Sequence, residues 1–60
     1  MGKFSIGDRV EHKLFGKGTI LDIEKVGDNT NLTIEFSGKI SKKIISTYVK
    51  LVKEWPIVNY

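Results

Sequence analysis

Turn-forming residues divide this 60-residue chain into short segments, which is the feature that most limits its possible folds. The clearest segment is residues 31–36, in which Leu32, Ile34 and Phe36 alternate with polar residues. Alternation with a period of two is typical of a strand that buries one face. It is bounded by turn residues, Gly27-Asp28-Asn29-Thr30 before it and Ser37-Gly38-Lys39 after it. The pattern predicts short strands joined by tight turns, and helical periodicity is not sustained anywhere.

The remaining segments complete a five-stranded all-β fold. In the second strand, Ile20 and Ile23 cannot share one face of a flat strand, which predicts a bulge or bend near Leu21-Asp22. Closure of five strands into a small barrel would leave few exposed edges. The other predicted elements are strands over residues 9–12 with Val10 inward, 19–26, 41–45 with Ile44 inward and Lys43 outward, and 49–52, with a helical turn at residues 46–48 before the last strand.

The composition limits what such a barrel can do. A chain of this length forms one domain and buries only about 60% of its unfolded surface, which leaves little room for a deep pocket. It has no cysteine and one histidine, His12, so we expect no disulfide, no metal site and no cofactor. No nucleophile–base pair, paired carboxylates or cofactor loop is evident, so we expect no catalysis and no small-molecule substrate.

Targeting signals are also missing from the sequence. No apolar run approaches the ~20 residues that span a bilayer, and the first residues contain no secretory signal. We therefore expect a cytoplasmic protein that does not bind membranes.

The charge is unevenly distributed along the chain, whose formal net charge is +3. Residues 1–36 carry five basic and six acidic side chains, whereas residues 37–60 carry five lysines and a single glutamate. This basic part is either a solvated surface or a contact face for an acidic partner such as a carboxylate-bearing protein or a nucleic acid.

A resemblance to a known family is carried by two motifs, Gly7-Asp8-Arg9-Val10-Glu11-His12 and Phe15-Gly16-Lys17-Gly18-Thr19-Ile20. They resemble the C-terminal Tudor-like domain of UvrD/PcrA-type superfamily 1 DNA helicases. The similarity extends over residues 4–53 through Gly27-Asp28, Leu32-Thr33-Ile34-Glu35-Phe36, Ser41-Lys42-Lys43-Ile44-Ile45, Tyr48 and Leu51. The resemblance implies a Tudor-like (SH3-like) barrel over residues 1–54, followed by a C-terminal tail at residues 55–60.

The chain also departs from that family. Ile40 stands where the family usually has glycine, and the tail that contains Trp55 and Tyr60 is unfamiliar. The G-x-x-x-x-G-K-[ST] loop that cradles ATP phosphates does not occur in the chain. The chain is therefore either the accessory domain of a helicase whose motor lies in another part of a longer protein, or a stand-alone protein of this type.

The resemblance implies a protein-interaction role, namely docking on the β subunit of RNA polymerase in transcription-coupled repair. The family's contact lysine matches Lys42. We predict a partner-binding patch of Lys42, Lys43, Lys39 and Glu35, in which Glu35 binds a partner arginine or neutralises Lys43. The alternative is a nucleic-acid-binding module that uses the basic strand at residues 39–43.

Other distinctive residues are interpreted as structural. Gly7, Gly16 and Gly18 are expected to shape barrel corners rather than to cradle phosphate. His12 is expected to be a partly buried histidine that bonds to backbone, and Phe15 is expected to cover one end of the barrel. Phe36 and Tyr48 are assigned to the core, which argues against an aromatic cage for methylated lysine.

Overall fold

The computed structural model describes residues 4–52, and they form one five-stranded antiparallel sheet in the order β4-β3-β2-β1-β5. This confirms the predicted small all-β fold, including the helical turn before the last strand. The predicted tail and the boundary after residue 54 lie outside the described residues. The elements are β1 (Arg9–His12), β2 (Gly16–Val26), β3 (Asn29–Phe36), β4 (Ile40–Ile45), a 3₁₀ turn (Ser46–Tyr48) and β5 (Val49–Leu51).

A bulge in β2 reconciles its apolar residues with one buried face. Ile20 lies opposite Ile34 of β3, but the next pair is Asp22 with Thr33, so the register shifts at Leu21. The extra residue restores the inward direction for Ile23. The bulge predicted near Leu21-Asp22 is thus confirmed, and it bends the sheet as closure of a small barrel requires.

The core is small and lies on one face of the sheet. Its buried members are Val10, Ile20, Leu32, Ile34 and Phe36, all of them at most 6% exposed. The inward direction predicted for Val10 and for the alternating residues of β3 is confirmed. The partly buried residues packed against them are Phe4, Ile23, Ile44, Val49 and Leu51.

Two positions of the β1–β2 hairpin require glycine, each for a different structural reason. Gly16 has φ +83°, in the left-handed region that side chains with a Cβ avoid. Gly18 is buried between Val10 of β1 and Phe36 of β3, its partners on either side. A Cβ on Gly18 would lie 2.5 Å from Cγ2 of Ile34 and 2.8 Å from the carbonyl oxygen of Glu35. Both glycines therefore serve geometry, but the prediction that Gly18 shapes a corner is wrong, because it lies within β2 and is paired on both sides.

The Gly7-Asp8 motif closes a turn that ties the N-terminal residues to β2. The backbone N–H of Ser5 donates to Oδ2 of Asp8 at 2.9 Å, and the N–H of Asp8 donates to the carbonyl of Ser5 at 3.0 Å. The N–H of Gly7 donates to the carbonyl of Ile20, and the N–H of Ile20 donates to the carbonyl of Asp8. The motif thus extends the pairing on the β1 side of β2.

Candidate protein-binding surface

The two central lysines of β4 point to opposite faces of the sheet. Lys42 lies opposite Ile34, on the side of the core, whereas Lys43 lies opposite Thr33 on the outer side. Adjacent residues of a strand alternate between faces, so both lysines cannot contact a partner from the same side. The structure thus divides the predicted patch between two surfaces.

On the outer surface of the sheet, Lys43 forms an ion pair with Glu24. Its Nζ lies 3.4 Å from Oε1 of Glu24, and the two side chains are 61% and 56% exposed. An exposed pair of this kind contributes about 0–1 kcal/mol. Glu35 lies opposite Ser41, and the ion pair of Lys43 is with Glu24.

Lys39 lies in the β3–β4 turn and is exposed. It is the only residue other than glycine with positive φ in residues 4–52, at φ 62°, and it follows Gly38 at φ 84°. Ile40, where the family usually has glycine, is outside the positive-φ region. The turn therefore supplies its left-handed residues before Ile40, and β4 begins at that residue.

On the inner side, Lys42 reaches across to the β1–β2 loop. Its Nζ lies 4.9 Å from the centroid of the Phe15 ring, within the range of a cation–π interaction. Lys42 itself is exposed. The contact orients the ammonium group on the inner side of β4, away from Lys43. This contact was not predicted from the sequence, because its two residues are far apart in the chain.

The ring of Phe15 belongs to an aromatic cluster with His12 and Phe36. It is stacked on His12, with centroids 4.6 Å apart and planes at 29°, and its centroid lies 5.4 Å from that of Phe36. Phe15 remains 42% exposed, so it covers the edge of the core only in part. Phe36 is buried, which joins the cluster to the core.

His12 organises the loop that carries this cluster. Its Nδ1 accepts hydrogen bonds from the backbone N–H of Leu14 at 3.0 Å and of Phe15 at 3.3 Å. An Nδ1 that accepts carries no proton, which identifies the Nε2–H tautomer. The interpretation of His12 as a structural histidine bonded to backbone is confirmed.

The prediction that Tyr48 belongs to the core is wrong. Its side chain is 66% exposed, because the 3₁₀ turn directs it outward while Val49 and Leu51 of β5 pack on the core. Its ring joins the wall of an open groove of about 600 Å³ between the β1–β2 loop and the 3₁₀ turn. The lining residues are His12, Lys13, Leu14, Phe15, Thr47 and Tyr48.

The exposure of Tyr48 does not produce a cage for methylated lysine. The rings of His12 and Phe15 are stacked on one another and do not enclose a cation, and Lys42 of the same chain already lies over Phe15. The groove therefore offers apolar contact and an ammonium group beside it.

Two further observations concern the chemistry of the described part of the chain. Residues 4–52 contain no group of three or more histidine, aspartate, glutamate or cysteine side chains positioned to hold a metal ion. Within the same residues, no helix has the length and apolar character needed to cross a membrane.

Comparison with known proteins places these features in a family. The chain is 38% identical over 48 residues to DNA helicase II of Salmonella typhimurium and 35% identical over 48 residues to DNA helicase II of Escherichia coli. DNA helicase II of Haemophilus influenzae is 35% identical over 51 residues. These alignments cover 80–85% of this chain but only 7% of each relative. The PcrA/UvrD tudor domain matches residues 6–51, from the N-terminal turn to the end of β5, and the chain therefore belongs to the PcrA/UvrD tudor domain family.

Proposed function

We propose that this domain is a protein-interaction module that docks on the β subunit of RNA polymerase, with Lys42 as its central contact. The observation that carries the proposal is the position of Lys42, exposed on the inner side of β4 and held over Phe15. Family membership supports the choice of partner, because the resemblance implies docking on RNA polymerase and matches its contact lysine to Lys42.

The edge position of β4 favours a protein partner. Among the described residues β4 ends the sheet, so the backbone groups along its free side are available to an added strand. Lysines on an edge strand discourage pairing with a second copy of the same strand and favour an acidic one. One face of so small a domain offers about 800 Å² at most, so we expect modest affinity.

The other residues of the predicted patch have smaller roles in the proposed interface. Lys39 adds positive charge in the turn that leads into β4 and steers an acidic partner. Lys43 and Glu35 lie on the outer side, where they contact the partner only if it wraps around the edge.

The relatives, which are DNA helicases, support a proposal for the setting of the domain. The chain spans only 7% of their length, so helicase activity is not a property of these residues. We place the domain as an accessory part of such a helicase that links it to transcription and DNA repair in the bacterial cytoplasm.

The test compares two charge reversals on adjacent residues of one strand. Lys42→Glu and Lys43→Glu change the net charge equally but act on opposite faces. Binding of purified bacterial RNA polymerase, measured by biolayer interferometry, should fall at least tenfold with Lys42→Glu and much less with Lys43→Glu. Equal binding by Lys42→Glu and the parent would show that Lys42 is not the contact. A larger loss with Lys43→Glu would move the contact to the outer face.

Nucleic-acid binding is the rival function. The case for it is weakened because Lys42 and Lys43 lie on opposite faces of the sheet. The basic residues of β4 do not form one continuous surface along which a phosphate backbone could run. A titration with single- and double-stranded DNA at low and moderate salt separates the two functions, since phosphate contacts are lost steeply as salt rises. Tight, salt-sensitive DNA binding without polymerase binding would favour the rival.

A further inference from the structure

The groove between the β1–β2 loop and the 3₁₀ turn combines exposed apolar side chains with nearby positive charge. Leu14 is 81% exposed and Tyr48 is 66% exposed, although the chain has few large apolar side chains to spare for its core. Exposed apolar residues that adjoin one another more often mark an interaction site than isolated ones do. Here they share one open groove of about 600 Å³.

The charged side chain that lines this groove is basic, while Glu11 and Lys50 line an adjoining cavity that shares Lys13, Thr47 and Tyr48 with it. Lys13 lines the groove, and the ammonium of Lys42 lies over Phe15, which also lines it. No acidic side chain is among the described residues of the lining. A second copy of the chain would bring the same lysines together, so the charge favours an acidic partner over self-association.

The loop that forms one wall is already ordered. The two hydrogen bonds to Nδ1 of His12 hold the backbone at Leu14 and Phe15, and ring stacking holds Phe15 itself. A wall that is held before binding loses less conformational freedom when a partner arrives. Leu14 offers an aliphatic surface to an apolar side chain of a protein, and the Phe15 ring on which a base could stack is already stacked on His12.

We infer that this groove accepts one apolar side chain, aromatic or branched aliphatic, from an extended acidic segment of the partner protein. The carboxylates on either side of that anchor pair with Lys13 and Lys42. The inference rests on the proposed function, because it adds an apolar subsite beside the contact made by Lys42. The apolar anchor would supply specificity that lysine–carboxylate pairs alone do not provide.

The first experiment uses exposed positions, so that the substitutions do not disturb the core. Leu14→Ser and Tyr48→Ser should each weaken binding of purified bacterial RNA polymerase by roughly tenfold, as removal of an interface anchor does. Ile6→Ser and Val26→Ser are the matched controls, at 65% and 51% exposure outside the groove, and should bind like the parent. Circular dichroism melts establish that all four variants are folded.

The second experiment uses peptides and does not depend on the polymerase. Ten-residue peptides of Glu, Ser and Gly carry one central Phe, Leu or Ser, and each is titrated into the ¹⁵N-labelled chain. The Phe and Leu peptides should shift the amide signals of Leu14, Phe15 and Thr47 and bind several-fold more tightly than the Ser peptide. Leu14→Ser should remove this difference.

The outcomes separate the inference from the proposed function. Polymerase binding that needs Lys42 but is unchanged by Leu14→Ser and Tyr48→Ser would overturn the groove and leave the docking proposal intact. If the parent does not bind polymerase, the docking proposal is wrong, and a preference for the Phe and Leu peptides alone would support the groove. Equal binding of all three peptides would overturn it. Sedimentation that detects a dimer of the parent, dissociated by Leu14→Ser, would show that the groove binds a second copy and would also overturn the inference. DNA binding that Tyr48→Ser abolishes would show that the groove binds nucleic acid and would overturn it as well.

Discussion

Substitution of Gly18 by alanine tests how closely β2 and β3 approach each other. The new Cβ would lie 2.5 Å from Cγ2 of Ile34, 2.8 Å from the carbonyl oxygen of Glu35 and 2.9 Å from Cδ1 of Phe36. Comfortable contacts between carbon atoms are about 3.5–4.0 Å, so all three neighbours would have to move. None of them can move easily, because Ile34 and Phe36 are buried and the carbonyl belongs to paired β3.

The expected loss of folding stability in Gly18→Ala follows from these contacts. Overpacking a filled core costs about 1–3 kcal/mol, and the backbone contact with Glu35 places Gly18→Ala near 3 kcal/mol. A core of this size rarely provides more than about 3–5 kcal/mol, so most of the stability would be lost. For a domain of 60–100 residues, 1 kcal/mol shifts the melting temperature by about 4–8 °C, so the expected decrease is roughly 12–24 °C.

Thermal and urea unfolding, followed by far-ultraviolet circular dichroism, measure this effect. Gly16→Ala is the matched control in the same hairpin, because a Cβ there meets no atom within 4 Å and only the positive φ of 83° opposes it. That backbone strain costs about 1–2 kcal/mol, less than the overpacking at Gly18. A Gly18→Ala domain that melts within a few degrees of the parent, or above Gly16→Ala, would refute the argument from close approach.

Two other substitutions test local features of the fold. Lys39→Gly should stabilise the domain by about 0.5–1 kcal/mol in urea unfolding, because glycine accepts the φ of 62° without strain, whereas Lys39→Ala should bring no gain. A gain with alanine as large as that with glycine would mean that the backbone is not strained. His12→Ala should cost about 1–2 kcal/mol and speed hydrogen exchange of the two amides that Nδ1 accepts from, while His12→Asn, which keeps an acceptor, should cost less. Unchanged exchange in His12→Ala would show that these hydrogen bonds do not hold the loop.

Much of the fold could be predicted because its signals are local. The alternation of Leu32, Ile34 and Phe36 specifies a strand with one buried face, and the mismatch between Ile20 and Ile23 specifies a bulge. Each signal depends only on neighbouring residues and on the two-residue period of a strand.

The site was predicted less completely. The two-residue period that turned Lys43 outward also directs Lys42 to the other face, so the division of the lysines was readable from the sequence. The exposure of Tyr48 was not readable, since the aromatic residue after a short turn packs inward or outward according to the path of the 3₁₀ turn.

The sequence by itself determined the strands, the turns, the bulge and the family of this domain, because strand period, turn chemistry and motif spacing are properties of short segments. Only the tertiary structure decided which distant side chains meet. Lys42 lies over Phe15, Lys43 pairs with Glu24, and Leu14 and Tyr48 line one groove. These contacts depend on how the curved sheet brings the β1–β2 loop towards β4 and the 3₁₀ turn. Curvature sums small bends over the whole sheet, and no single segment of the sequence encodes that sum.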